Sequence, residues 1–318
     1  MEEQSFAYRM GSNGICILRC YGSSARVVIP ETLEGNPVTE VSAYAFAEAM
    51  EDEPENTSGL PCICGKKLEE LYLPAAIQRL GRYVFYNCLN LKKLSFYSDL
   101  AYMGAGVFTG CENLSCLEMH VLSGRSCLRE ILQDLKQKVT VDCYQGQKPS
   151  ERYSNKSTLI FRLVFPEFFE EAVENTPARI ISTQTHGMGI QYRNAFRNTQ
   201  VVFEEYDRIF KTGKYNIDLT ILAETAMARL RYPYELEEGA GQEYASWLAE
   251  HLSSGAELCF MQEDVDNLRW LAAEFVTEEK QMELLLEAAK TQNKPGIVSM
   301  LMDVKHRRFP GKKRKFSL

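Results

Sequence analysis

No uninterrupted apolar run in this sequence approaches the ~20 residues that a membrane-crossing helix needs, so a helical bilayer-spanning segment is excluded. Histidine is scarce, with four in 318 residues, and none stands at a readable spacing from a nucleophile, a base or a second metal ligand. Positive charge is not in excess either. The formal net charge is −7, and the stretch from Lys305 to the end holds seven basic residues and no acidic one. The rest of the chain therefore carries twice the net negative charge of the whole, and such a body repels a nucleic-acid backbone. No charged-then-apolar leader follows Met1-Glu-Glu-Gln. The expectation is a cytoplasmic protein whose ten cysteines stay reduced.

What the chain does contain is a period. Leu68, Leu91 and Leu114 are each 23 residues apart, and so are Leu71, Leu94 and Leu117. The register continues through Leu73, Phe96 and Met119, then Gly81 and Gly104, Phe85 and Phe108, Cys88 and Cys111, Asn90 and Asn113. Agreement across so many residue classes signals stacked coils, each burying its apolar side only against its neighbours.

Residue types assign roles within a coil. In Leu68-Glu-Glu-Leu71-Tyr-Leu73-Pro74, period-two alternation marks a half-buried strand with Leu71 and Leu73 inward and Glu70 and Tyr72 outward. Pro74 ends the strand because it has no N–H to donate. Gly81 suits a corner backbone, Phe85 fills the interior, Cys88 is a small buried hydrophobe, and Asn90 suits bonding to its own turn. A looser unit runs from Val27 through Ile29-Pro30 to Phe46, and a polar insertion, Glu51 to Ser58, should loop out before Leu68.

The pattern L-x-x-L-x-L/I-P followed by I-x-x-I/L-G-x-x-x-F-x-x-C-x-N-L resembles the BspA-like leucine-rich repeats of bacteria, over roughly residues 25 to 120. That resemblance implies a parallel-stranded solenoid and a recognition role. It implies no cofactor.

After Met119 the period fails. Cys127 to Leu135 carries a helical stripe suited to capping the stack, and Val139 to Cys143 reads as a last strand. Past Phe165 the stripes are read as helical: one opened by Asp218 and stopped by Pro233, one from Tyr244 to Leu252 closed by Gly255, one from Val265 to Phe275, one capped near Thr277-Glu278, and one opened by Pro295. The expected fold class is α+β. A leucine-rich-repeat domain spans 1–148. An all-α domain spans 149–304, built of helical hairpins as an α-solenoid or irregular bundle. A basic tail spans 305–318.

Two strings imitate nucleotide loops. In Gly104-Ala-Gly106-Val-Phe-Thr-Gly110 the third glycine comes one residue late, and in Gly59 to Lys66 the glycines are separated by five residues where a phosphate loop has four. Cys62-Ile-Cys64 with Cys16 and Cys20 could supply four thiolates, but not at the common zinc spacing, and packing is the expected role of these thiols, so no metal site is assigned.

Two function classes follow. The leading one is a non-enzymatic protein–protein interaction or scaffold module whose partner is a protein, with neither membrane nor nucleic acid. Its surface is the outward sheet positions Glu70, Tyr72, Lys93, Ser95 and Glu118, with Cys116 beside them. The alternative is an enzyme or small-ligand-binding protein with a site around residues 183–197, where His186, Gly187, Gly189 and Arg193 could cradle an anion.

Overall fold

A computed structural model of the protein describes residues 3–123, 126–146, 158–175 and 180–310. Internal contacts divide the chain into two compact units, Met1–Ile209 and Phe210–Leu318.

The first unit opens with an antiparallel pair, β1 (Gln4–Met10) and β2 (Ile15–Gly22). Short strands follow: β3 (Arg26–Val28), β4 (Thr32–Leu33), β5 (Asn36–Val41), β6 (Glu70–Tyr72), β7 (Arg79–Leu80), β8 (Lys93–Tyr97), β9 (Tyr102–Met103) and β10 (Cys116–Val121). Helix α1 (Leu128–Asp134) and strands β11 (Val139–Gln145) and β12 (Leu159–Phe165) come next. These strands form the two sides of a solenoid. On one side β3, β6, β8, β10 and β11 run parallel, and β12 closes the edge antiparallel to β11. On the other side β2, β5, β7 and β9 run parallel, with β1 at the edge.

The pairing is the one the period requires. Val27, Leu71, Leu94, Leu117 and Val141 stand opposite one another from strand to strand, and each is fully buried. A one-residue slip would turn the whole column to solvent, so burial of the leucines enforces the register. Behind the strands Phe46, Phe85 and Phe108 stack in a second column at centroid spacings of 5.7 and 5.6 Å.

Two repeat positions act differently from their sequence expectation, and the cysteine position, buried as expected, adds a bond. Gly81 does not supply a left-handed corner. A Cβ there would lie 2.3 Å from Ala43 N, and at Gly104 2.4 Å from Arg82 N, so glycine is needed for close approach of successive coils. Asn90 and Asn113 do not bond their own turns. Their amides donate to Lys66 O and Leu89 O of the preceding coil, each at 2.7 Å. The thiols of Cys88 and Cys111 donate to Phe46 O and Phe85 O, also one coil back, at 3.2 and 3.1 Å. Coil corners leave carbonyls outside the strand ladders, and a buried unpaired carbonyl is costly. The side chains therefore bond between coils.

The insertion also departs from expectation. It folds back instead of looping out: Glu53 pairs with Arg19 of β2 at 2.5 Å, and the Tyr21 hydroxyl donates to Pro54 O at 3.5 Å.

The expected domain boundary at 148/149 is not where the structure divides, because β12 continues the first sheet and the division falls at 209/210. The expected helices just past Phe165 are also replaced. A hairpin of β13 (Phe169–Asn175) and β14 (Ile180–His186) comes first. Helix α2 (Gly189–Arg193) and the short pair β15 (Phe196–Arg197) and β16 (Gln200–Val201) follow. The run Leu159-Ile-Phe-Arg-Leu-Val-Phe165 is β-prone and finds a free strand edge at β11 to pair with.

Helix α3 (Phe203–Gly213) crosses the division. The second unit then continues as α4 (Leu219–Arg231), α5 (Glu238–Glu250), α6 (Leu252–Gln262), α7 (Val265–Phe275), α8 (Glu279–Thr291) and α9 (Pro295–Arg308). Its core joins Leu222, Ala226, Leu248, Leu268, Leu271, Met282 and Leu301. Caps define several starts. Asp218 accepts from Thr220 N at 2.8 Å, Asp264 accepts from Asn267 N at 2.8 Å, and Glu278 forms a capping box with Gln281. Gly255 does not close a helix as expected. The break falls at His251, and Gly255 lies buried inside α6, where an added Cβ would sit 3.1 Å from Leu271. The last helix runs to Arg308, four residues into the expected tail, and residues 311–318 lie outside the described residues.

Candidate functional site

The outward face of the β3-β6-β8-β10-β11-β12 sheet carries three cross-strand rows. The first holds Arg26, Glu70, Lys93, Cys116 and Thr140, and the second holds Val28, Tyr72, Ser95, Glu118, Asp142 and Arg162. The third, beyond the end of β6, holds Tyr97, His120 and Tyr144. All five residues expected on this face are in the first two rows. Glu70, Tyr72, Lys93 and Glu118 are half-buried, whereas Ser95 is only 2% exposed and offers a partner almost nothing. Its hydroxyl lies 3.3 Å from His120 Nε2.

The charges on this face pair with each other. Lys93 reaches Glu118 at 2.6 Å, and the Arg162 guanidinium forks onto Asp142 at 2.5 and 2.7 Å. Arg26 lies 3.6 Å from Glu70 and 4.4 Å from the centre of the Tyr72 ring. The Tyr72 hydroxyl donates to Glu70 at 2.9 Å, and Lys93 Nζ stands 5.5 Å from the same ring. Burial opposes the Lys93 charge, but the hydrogen bond and charge of Glu118 outweigh it and hold the ammonium above the ordinary lysine range. Burial, and then the bond to Glu70, push the Tyr72 phenol up. Tyr72 is thus clamped between cations and a carboxylate, with little rotamer freedom left to lose on contact.

The third row is a stack of rings. Tyr97 and His120 lie 5.0 Å apart at 29°, and His120 and Tyr144 lie 5.4 Å apart at 21°. Tyr97 is buried, while His120 and Tyr144 are half-buried. Burial, with Asp142 and Glu118 adding to it, raises the Tyr144 phenol to about 12, so it stays a neutral donor. The sequence reading missed this row and the flanking Arg26, Asp142 and Arg162. Tyr97 and His120 were within reach of the 23-residue register, whereas β11 and β12 lie past its end.

The second candidate region is built differently. His186 ends β14 and stacks on its cross-strand partner Phe169 at 4.8 Å, with Glu171 at 3.6 Å from Nε2. Gly187 has φ +92°, and a Cβ on Gly189 would lie 2.1 Å from Pro166 O, so the glycines serve a tight turn against that backbone. Arg193 does not join an anion cradle. It is fully buried, and its guanidinium donates to Leu132 O at 2.8 Å, Leu135 O at 3.0 Å, Gln137 O at 2.7 Å, Gly189 O at 3.1 Å and Pro166 O. Its donors are committed to carbonyls around α1, β11, β12 and α2, which makes it a structural clasp. Burial pulls it down to about 10, so it remains charged at neutral pH.

Among the described residues no group of three or more histidine, cysteine or carboxylate side chains converges to hold a metal. Cys16 and Cys20 are buried, while Cys62 and Cys64 are partly exposed. Among the described residues no helix is long and apolar enough to cross a membrane.

Parallel strands in a fixed register, a buried leucine column and an outward polar-aromatic face define the repeat part as a leucine-rich-repeat solenoid. Residues 60–132 match the family model described as BspA type leucine rich repeat region (6 copies), so these repeats are of the BspA type. Among solved structures, the crystal structure of a T. pallidum leucine rich repeat protein is 22% identical, covering 36% of this chain and 68% of that one at a TM-score of 0.20. No curated protein matches this chain.

Proposed function

We propose that this protein is a non-enzymatic interaction module that docks a protein partner on the outward face of the sheet. The observation that carries this reading is the half-buried Tyr72, held between Arg26 and Lys93, beside the exposed edges of the His120–Tyr144 stack. Aromatic rings fixed in place offer contact area at low entropic cost, and already neutralised charges around them exclude water without needing new partners. The pairing of Lys93 with Glu118 on the same face reduces what these charges contribute to long-range steering. Leucine-rich repeats generally serve protein interaction, which agrees with this reading.

Magnitude limits the complex. Six strands ~4.8 Å apart, averaging about five residues at ~3.3 Å each, make a face of roughly 500 Å². A standard interface buries about 800 Å² per partner, so this face alone supports a weak, transient contact. We place the protein in a reducing, cytoplasmic setting, which would keep its ten cysteines as thiols.

Site-directed photocrosslinking tests the proposal. A photoreactive phenylalanine analogue at Tyr72 should give a discrete protein adduct in cells. The same analogue at exposed Leu284 of α8 should not. Adducts from position 284 alone would place the interface on the helical unit and refute the sheet-face reading.

A further inference from the structure

Of the ten cysteines, seven are buried and three, Cys62, Cys64 and Cys116, are partly accessible. Cys62 and Cys64 share one extended segment at the end of the insertion. Gly22 N–H donates to Pro61 O and Ile63 N–H to Cys20 O, both at 2.9 Å, and Cys62 bridges antiparallel to Tyr21. Cys64 continues the extended backbone at φ −148°, ψ 163°. Alternation therefore buries Ile63, which is 1% exposed, and turns the thiols of Cys62 and Cys64 to the opposite side together. The two side chains therefore stand as neighbours on one side of the strand, one residue apart in the alternation.

A buried cation acts on both. Arg19, whose side chain is 1% exposed, is fixed by Glu53 at 2.7 and 2.5 Å and by the carbonyls of Tyr44, Ala45 and Ala47. The neighbouring Cys62 thiol pulls Cys64 down to about 6. Arg19 and Lys67 reinforce that shift, and burial and Glu48 oppose it. The Cys64 thiol beside it and burial hold Cys62 far above the thiol range, with Glu53 adding to the rise and Arg19 opposing it. Every other thiol is pushed up, chiefly by burial: Cys20, Cys111, Cys127, Cys143 and Cys259 to about 12, and Cys116 to about 11.

We propose that Cys62 and Cys64 form a reactive dithiol that small disulfides of the glutathione type oxidise to an intrachain disulfide. The Cys64 thiolate attacks one sulfur of the small disulfide, forming a mixed disulfide and releasing one small thiolate. Cys62 then loses its proton and attacks the Cys64 sulfur, forming the Cys62–Cys64 bond and expelling the second small thiolate, which takes up the proton. Two protein thiols are oxidised and one small disulfide is reduced to two thiols. Two extended residues span about 6.6 Å between α-carbons, near the ~6.8 Å upper limit for a disulfide. Their parallel Cβ atoms stand about as far apart, beyond the ~3.5–4.5 Å of a relaxed bridge, so the segment must bend for the ring to close. The bond is therefore readily reversed, as in a responsive rather than a structural disulfide.

The test uses the full chain. In wild type at pH 7, iodoacetamide followed by peptide mapping should label Cys64 at least ~10-fold faster than Cys116, because thiolate fraction sets the rate. Incubation with oxidised glutathione should leave wild type two hydrogens lighter with no glutathione attached. Cys62→Ser should retain one glutathione on Cys64, and Cys64→Ser should react far more slowly, with circular dichroism showing both variants folded. Labelling of Cys64 no faster than Cys116 would overturn the proposal without reliance on any variant. So would wild type that keeps its glutathione and never closes the ring.

Discussion

Replacing Arg193 with alanine is expected to destabilise the first unit by about 3–5 kcal/mol, the range seen when a buried, multiply bonded charge loses its setting. Five carbonyls from three segments, 132–137, Pro166 and Gly189, converge on this one guanidinium, and each acceptor left buried without a donor costs about 1–3 kcal/mol before water or local collapse relieves it. Arg193→Lys should recover part of the loss, since an ammonium keeps the charge but has three donors and no planar fork. Thermal unfolding of the three proteins checks the order wild type, lysine variant, alanine variant. A ligand-binding arginine would behave otherwise, leaving stability untouched on truncation.

Phe85→Ala should be about as damaging, at about 3–5 kcal/mol. The ring is fully buried and stacked on both sides, against Phe46 and Phe108 of the neighbouring coils. In a solenoid each coil is stabilised through its neighbours, so a void at Phe85 weakens two interfaces at once. The melting temperature of the first unit should fall on the order of 10 °C. Phe85→Leu should lose much less, because most of the buried apolar volume remains. Equal losses for alanine and leucine would show that ring stacking, rather than volume, holds the coils together.

The solenoid was legible because its constraint is periodic. Leu71, Leu94 and Leu117 recur at one spacing, and one inward face follows from it. Roles that depend on a neighbouring coil were not legible. Asn90 reaches Lys66 O and Cys88 reaches Phe46 O across coil boundaries, and the residue type alone suggested only its own turn or simple packing. Arg193 suits an anion ligand only in the alternative reading, because glycines and a histidine precede it. Its burial is set by α1 and β12, far away in sequence. Likewise, nothing local to Cys62-Ile63-Cys64 announces Arg19, whose partner Glu53 comes from an insertion that looked like solvent-exposed loop. On the outward sheet face the alternating positions fall in the rows that the strand period predicts. The burial of Ser95 was missed because it depends on His120 one strand over.

The most direct test of the proposed docking face is the affinity of a partner captured by the crosslinking, measured by calorimetry for wild type and for Tyr72→Ala combined with Lys93→Glu. The double change removes the fixed ring and sets a second carboxylate against Glu118 in place of the ammonium, while leaving the buried leucine column intact. The account predicts at least ~10-fold weaker binding, about 1.4 kcal/mol, with the core and the fold unchanged by circular dichroism. Unchanged affinity in the folded double variant would contradict it and move the interface to the helical unit.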